Sequence, residues 1–87
     1  MINNFLLQVF GDRIRHLRTQ EKLSQEQLSY KTGFHRTYIG MIERGERNIS
    51  LTNMAIFAKV FNLTIDELLR FDNSKELLKK YKLKTED

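Results

Sequence analysis

The residues best suited to chemistry in this chain gather in one stretch, HRTYIGMIERGERN, at positions 35–48. Arg36, Arg44 and Arg47 can each donate paired hydrogen bonds to an anionic or carbonyl-bearing partner. The sequence shows no nucleophile–base pair, no paired-carboxylate cleft and no glycine-rich phosphate loop. His16 and His35 have no evident third ligand, and a chain without cysteine has no thiolate metal site. The pattern therefore favours binding over catalysis, without a metal or cofactor.

This stretch has the periodicity of a helix with two unlike sides. At about 100° per residue, Ile39 and Ile42 fall on one side and are predicted to be buried, with Glu43 at their edge. The other surface is neither acidic nor bulky and comprises Arg36, Thr37, Tyr38, Gly40, Met41 and Arg44. Half of the helix is thus free to contact another molecule.

The segment before this helix meets the steric requirements of a helix-turn-helix. Leu28 is the buried residue of a first short helix, and Ser29 is small enough for the closest approach of the two helices. Gly33 can adopt the positive φ of a tight turn, and Phe34 fills the angle between the helices. With the two buried isoleucines there are six matches at fixed offsets, which favours this motif over a chance helical hairpin.

In a helix-turn-helix, the first residues of the second helix meet base edges in the DNA major groove. Arg36 can pair bidentately with guanine and the Thr37 methyl can meet a thymine methyl, so we predict that both read bases. Tyr38 could bond a phosphate or pack its ring on the neighbouring helix. Further predicted DNA contacts are Gln25, His35, Met41, Arg44, Arg47 and Asn48. For Arg47 and Asn48 a solvated loop is the alternative.

Some positions in the motif carry a more particular expectation. Gln25 begins the first motif helix, where its side chain and free backbone N–H groups can meet a phosphate. His35 stands at the N-cap of the second helix, where Ser, Thr, Asp or Asn is usual. Gly40 costs about 1 kcal/mol of helix stability relative to Ala; clearance from the groove floor and simple tolerance are both open explanations. The carboxylate of Glu43 needs a partner, and we predict an ion pair with Arg18 that fastens the first helix to the third.

Apolar periodicity and capping residues predict an all-α domain of five helices. The predicted spans are 4–22, 25–31, 36–44, 51–61 and 65–70, and a sixth helix over 73–82 is possible on pattern alone. Capping boxes start the second helix at Ser24 and the fifth at Thr64. Ile56, Val60 and Leu63 are predicted core contacts of the fourth helix region. We divide the chain into a domain at 1–71 and a C-terminal extension at 72–87.

Length and charge are consistent with this interpretation. The 87 residues allow one small domain, and the net charge of +4 suits either a polyanionic partner or an ordinary basic surface. The N-terminal apolar run lacks the features of a signal peptide, and no membrane span is predicted.

The stretch SQEQLSYKTGFHRTYIGMIERGERNISL, followed by LTIDELL, resembles the Cro/C1-type (Xre-like) helix-turn-helix regulators. The resemblance covers about residues 10–70. Within that family, HRTYIGMIERGERNISL is most similar to the controller proteins of restriction–modification systems. The extension at 72–87 is longer than such a minimal regulator needs, and Tyr30 stands where many members keep a smaller residue.

The resemblance implies a five-helix lambda-repressor-like domain that forms a homodimer through its C-terminal helices and binds palindromic operators. Arg36, Thr37 and Tyr38 match base- and backbone-contacting positions, and Arg47 matches a phosphate contact. The residues that fall in the dimer region of the family are Ile65, Leu68 and Leu69. It further implies a cytoplasmic bacterial protein, associated with the nucleoid. No small-molecule effector is expected, because the sequence shows no second domain large enough to hold a ligand. A phage-type repressor would have the same chemistry in another circuit, and an antitoxin would bind both DNA and a toxin protein.

Overall fold

Five α-helices make up the computed structural model, which describes residues 4–72 and residue 79. The helices are α1 (Asn4–Gln20), α2 (Gln25–Thr32), α3 (Arg36–Glu43), α4 (Leu51–Val60) and α5 (Ile65–Leu68), and the described residues contain no strand. The first five predicted helices are present, with ends that differ by two residues or fewer. The predicted sixth helix at 73–82 lies outside the described residues, apart from residue 79, so that prediction stays open.

The helix starts form where the capping residues predict them. Ser24 accepts from the backbone N–H of Gln27 while the Gln27 side chain accepts from the backbone of Ser24, which completes the first capping box. Thr64 and Glu67 complete the second in the same way. Gly33 ends α2 with a φ of 80°, the left-handed conformation that the tight turn before α3 requires.

The core lies where one face of each helix meets the others. The residues of this core that are buried in the single chain are Phe10, Ile14, Leu17, Leu28, Ile39, Ile42, Phe57, Ala58, Phe61 and Leu68. The predicted burial of Ile39 and Ile42 in α3 is confirmed, and Phe10, Ile14 and Leu17 form one buried stripe on α1. In α4 the buried residues are Phe57 and Ala58. The predicted contacts Val60 and Leu63 are half-buried and pack against this core, and Ile56 is half-buried as well. The Phe34 ring contacts that of Phe57 with centroids 5.2 Å apart, as a residue filling the inter-helix angle should.

The contact between α1 and α3 depends on Gly11, which sequence reasoning did not identify. Gly11 is buried in α1, and a Cβ atom placed on it would lie 2.4 Å from the carbonyl oxygen of Ile42 and 2.7 Å from that of Glu43. These are backbone atoms and cannot turn aside. The absence of a side chain at Gly11 therefore lets α1 lie directly against the C-terminal end of α3.

Candidate nucleic-acid interface

The helix α3 presents two sides, as its periodicity predicts. Ile39 and Ile42 are 0% and 1% exposed and belong to the core. Arg36 and Thr37, at the start of α3, are exposed, and Met41 is half-buried. The motif therefore leaves the first turn of α3 open to a partner while its opposite side anchors it.

His35 caps α3, as its position predicts. Its Nδ1 accepts the backbone N–H of Thr37 at 3.0 Å. A nitrogen that accepts carries no proton, so Nε2 carries the N–H of the neutral ring. Because His35 is exposed, this N–H can donate to an anionic oxygen of another molecule.

Arg36 forms an ion pair that the sequence pattern did not suggest. Its NH1 nitrogen lies 3.3 Å from Oε2 of Glu26 in the first turn of α2. Both side chains are exposed, so the pair restricts Arg36 without hiding it.

Tyr38 combines features of both alternatives that the sequence left open. Its ring packs edge-on against Phe34, with centroids 5.1 Å apart, and the Arg47 guanidinium lies 5.5 Å from its centroid. Its hydroxyl accepts a hydrogen bond of 3.0 Å from Nδ2 of Asn53. The ring thus packs on neighbouring residues, while the hydroxyl proton is still available for a phosphate. The cation–π contact also brings the Arg47 side chain next to α3.

Arg44 follows α3 and is bound to a carboxylate in the next loop. Its Nε and NH2 nitrogens donate to Glu46 over 3.0 and 3.1 Å. These bonds raise the pKa of Arg44 and lower that of Glu46. The two-donor edge of Arg44 is therefore occupied by an internal carboxylate.

Gly40 is buried next to these polar side chains. A Cβ atom there would lie 3.1 Å from NH1 of Arg44 and 3.5 Å from Oε1 of Gln25. The distance to Gln25 is an ordinary van der Waals contact, and the Arg44 guanidinium is the end of a flexible side chain, so an alanine would meet no rigid obstacle here.

Glu43 is the centre of a hydrogen-bond network that joins three helices. Arg18 of α1 donates to it from Nε at 2.6 Å and from NH2 at 3.0 Å, which confirms the predicted ion pair. Arg15 and Gln25 donate to Oε1 at 3.4 and 3.1 Å. Burial alone would raise the pKa of Glu43, but the hydrogen bonds and the Arg18 charge hold it below its ordinary value. The carboxylate is thus charged and satisfied although its side chain is fully buried.

The same network changes the expectation for Gln25. The structure places one side-chain N–H of Gln25 on Glu43. That leaves one N–H on the amide for a phosphate, and it fixes the start of α2 to the end of α3. Asn48 lies in the exposed loop after α3 with Arg47, as predicted.

The predicted dimer residues do not behave alike. Leu68 is 0% exposed in the single chain, so the prediction that it lies in a dimer interface is wrong. Its side chain belongs to the hydrophobic core of the single chain. Ile65 and Leu69 are half-buried and keep apolar surface for a partner.

Sequence reasoning missed Glu26, Glu46 and Asn53, which hold three of the predicted contact residues. Glu46 is only two positions from Arg44, a local signal that could have been used. Glu26 and Asn53 lie ten and fifteen positions from their partners, and only the folded motif brings them together.

Within residues 4–72 no group of acidic or histidine side chains could hold a metal ion. The helices described there are too short or too polar to span a membrane.

Comparison with known proteins agrees with this geometry. A helix-turn-helix family model matches residues 14–68. Control protein C.SmaI of Serratia marcescens is 44% identical over 62 residues, which cover 71% of this chain and 74% of that protein. The structure of the restriction–modification controller C.AhdI from Aeromonas hydrophila matches with a TM-score of 0.68 and 45% identity, over 71% of this chain and 94% of that one. The controller C.Esp1396I, solved as a tetramer with its natural 35-base-pair operator, matches with a TM-score of 0.67 and 29% identity, over 87% and 93%. This chain therefore belongs to the Cro/C1-type helix-turn-helix family and, within it, to the restriction–modification controller proteins.

Proposed function

We propose that this protein is a transcriptional regulator that binds a palindromic operator as a homodimer and controls a restriction–modification system. The observation that carries the proposal is the exposed first turn of α3, with Arg36 and Thr37 free of the core, in a chain 44% identical to a control protein. That resemblance favours this circuit over a phage repressor or an antitoxin. The protein would act in the bacterial cytoplasm, on the nucleoid, without a cofactor, an enzymatic activity or a small-molecule effector.

Base readout in this proposal comes from the first turn of α3. An α-helix fits the major groove, where Arg36 can donate two hydrogen bonds to guanine O6 and N7 and the Thr37 methyl can meet a thymine methyl. His35 supports this turn by capping it. Met41, one turn further along, is half-buried and offers an apolar contact beside the bases.

Phosphate contacts would fix the orientation of α3 in the groove. Arg47 and Asn48 extend from the loop after α3, and the Tyr38 hydroxyl keeps its proton for donation. On the other side of the groove, Gln25 and the first backbone N–H groups of α2 meet the second strand. Release of counterions from these phosphates makes the affinity fall steeply with salt.

The dimer follows from the two apolar residues of the α5 region that keep exposed surface. Ile65 and Leu69 would pack against the same residues of a second copy. A twofold dimer places its two α3 helices on half-sites about one helical turn apart. Its operator is then palindromic because the two half-sites follow the twofold symmetry of the protein.

Selection of bound sites from random duplex DNA tests the proposal. We expect a palindromic consensus for the wild-type protein. Arg36→Ala should lose the preference at one base pair in each half-site, by about tenfold, because one bidentate pair contributes roughly 1–3 kcal/mol of discrimination. Recovery of no consensus, or an Arg36→Ala protein with unchanged base preferences, would contradict the proposed readout. The genes beside this one should encode a methyltransferase and an endonuclease; phage or toxin genes would contradict the assigned circuit.

A further inference from the structure

The arginines at the two ends of α3 are held by carboxylates in different ways. Arg36 gives Glu26 a single hydrogen bond, from NH1 at 3.3 Å. Arg44 gives Glu46 two, from Nε at 3.0 Å and NH2 at 3.1 Å. A guanidinium has five N–H donors in a rigid fork. Among the described residues the only side-chain bond of Arg36 is this one to Glu26, which leaves its Nε–NH2 edge open, whereas Glu46 fills that edge of Arg44.

The difference decides what each arginine can do while its carboxylate stays bound. A guanine takes two parallel donors on O6 and N7, and the Nε–NH2 edge supplies such a pair. Arg36 can therefore pair with a guanine and keep Glu26. Arg44 must release Glu46 before it can give the same edge to a phosphate.

The backbone that carries Glu26 is fixed relative to α3. Glu26 lies in the first turn of α2, which the Ser24 capping box starts. Its neighbour Gln25 donates to Glu43, the last residue of α3, at 3.1 Å. A carboxylate on this turn is thus a firm support for a long side chain on the next helix.

We propose that Glu26 is a positioning residue for base readout, which fixes the Arg36 guanidinium so that its Nε–NH2 edge is presented to one guanine. The inference rests on the proposed function, in which Arg36 reads a base. In the free protein the pair contributes little, because its side chains are 66% and 54% exposed. Bound DNA excludes water from the pair, which strengthens it. The effect of Glu26 is therefore expressed in the complex, at the base pair that Arg36 contacts.

The test measures discrimination rather than affinity alone. The duplexes are the selected operator, the same operator with the Arg36-dependent base pair replaced, and a random duplex, each titrated by fluorescence anisotropy. Glu26→Ala should lower the ratio of operator to replaced-operator affinity about three- to tenfold, a part of what a bidentate pair provides. Glu26→Gln should lower it less, because an amide oxygen still accepts from NH1. Affinity for the random duplex should not fall in either variant.

Glu46→Gln is the matched contrast, since it removes one carboxylate from the other arginine. Without its competitor, Arg44 is free for any phosphate. Affinity should rise about two- to fivefold for all three duplexes, the value of one exposed ion pair, and the discrimination ratio should not change. Asp12→Asn, in a cleft lined by Arg13, Arg70 and Phe71, measures the effect of one unit of net charge.

A double variant shows whether Glu26 acts through Arg36. If it does, Glu26→Ala should lower the ratio no further once Arg36→Ala is present, since the two residues share one interaction. A Glu26→Ala protein that behaves like Glu46→Gln, with equal gains on all duplexes, would overturn the positioning role. An Arg36→Ala protein that binds the operator with full base preference would instead overturn Arg36 as the reader. Circular dichroism melting confirms that each variant is folded.

Discussion

At the scale of single residues, Glu43 has the most demanding environment in the described chain. Its side chain is 0% exposed and receives donors from Arg18, Arg15 and Gln25. A buried charge without such partners would be strongly unfavourable. The sequence predicted the Arg18 pair because an acid at the edge of a buried helix face needs a cation. It gave no means to predict Gln25, whose part depends on how α2 meets α3.

Replacing this carboxylate should make the free energy of unfolding less dependent on pH in the acid range. The pKa of Glu43 in the folded protein is below its ordinary value of 4.5. Its contribution to the free energy of unfolding is therefore present above about pH 4.5 and is lost as the pH falls through the folded pKa. The free energy of unfolding of Glu43→Gln at pH 7 should be about 3 kcal/mol lower than that of the wild type, since Arg18 loses its negatively charged partner.

Urea unfolding from pH 7 to pH 3 checks this prediction. The gap between the wild type and Glu43→Gln should narrow below pH 4.5. Because the wild type also loses the contributions of Glu46, Asp66 and Glu67, whose pKa values are lowered as well, the difference between the two proteins is the informative quantity. A constant gap across the range would argue against a charged Glu43.

At the scale of elements, the position of α3 depends on what lies behind it. Gly11 lets α1 touch the carbonyl groups of Ile42 and Glu43. The Arg18–Glu43 ion pair joins the same two helices at a later position on α1. The helix α3 is therefore held at its C-terminal end by α1 and at its start by the turn at Gly33. Both supports leave its outer side open.

A pair of glycine substitutions separates packing from helix propensity. Gly11→Ala should lower the free energy of unfolding by about 1–3 kcal/mol, because the new Cβ meets backbone that cannot move aside. Gly40→Ala is the control: its Cβ meets the flexible Arg44 side chain at 3.1 Å, and alanine gains up to about 1 kcal/mol over glycine inside a helix. Thermal melting should place the two variants on opposite sides of the wild type. A Gly11→Ala protein as stable as wild type would contradict the close crossing.

At the scale of the whole molecule, the neighbouring leucines of the α5 region differ in burial. Leu68 completes the monomer core, whereas Leu69 and Ile65 keep apolar surface. The resemblance to the family assigned all three to the dimer and could not distinguish them. The extension at 72–87 lies almost wholly outside the described residues, and its separation from the domain stays a prediction.

Substitutions at these leucines should have different consequences. Leu68→Ala should lower the free energy of unfolding by about 2–5 kcal/mol, the usual cost of a cavity in a core. Leu69→Asp should leave the helical circular dichroism intact and convert the proposed dimer to a monomer, since a charge in an apolar interface lacks a partner. Sedimentation at micromolar concentration distinguishes the two. A monomeric wild type, or a Leu69→Asp dimer, would contradict the proposed interface.

Local patterns were enough to predict the helices, their caps, the helix-turn-helix and the buried side of α3. These features depend on residues within about one or two turns of each other, such as Ser24 with Gln27, or Ile39 with Ile42. Side chains that meet across helices were decided only by the tertiary structure: Glu26 with Arg36, Asn53 with Tyr38, and Gly11 with the end of α3. Leu68 and Leu69 show the same limit, since neighbours in sequence are separated by about 100° on a helix. Which of the two faces the core depends on where α5 packs, and that is a property of the whole fold.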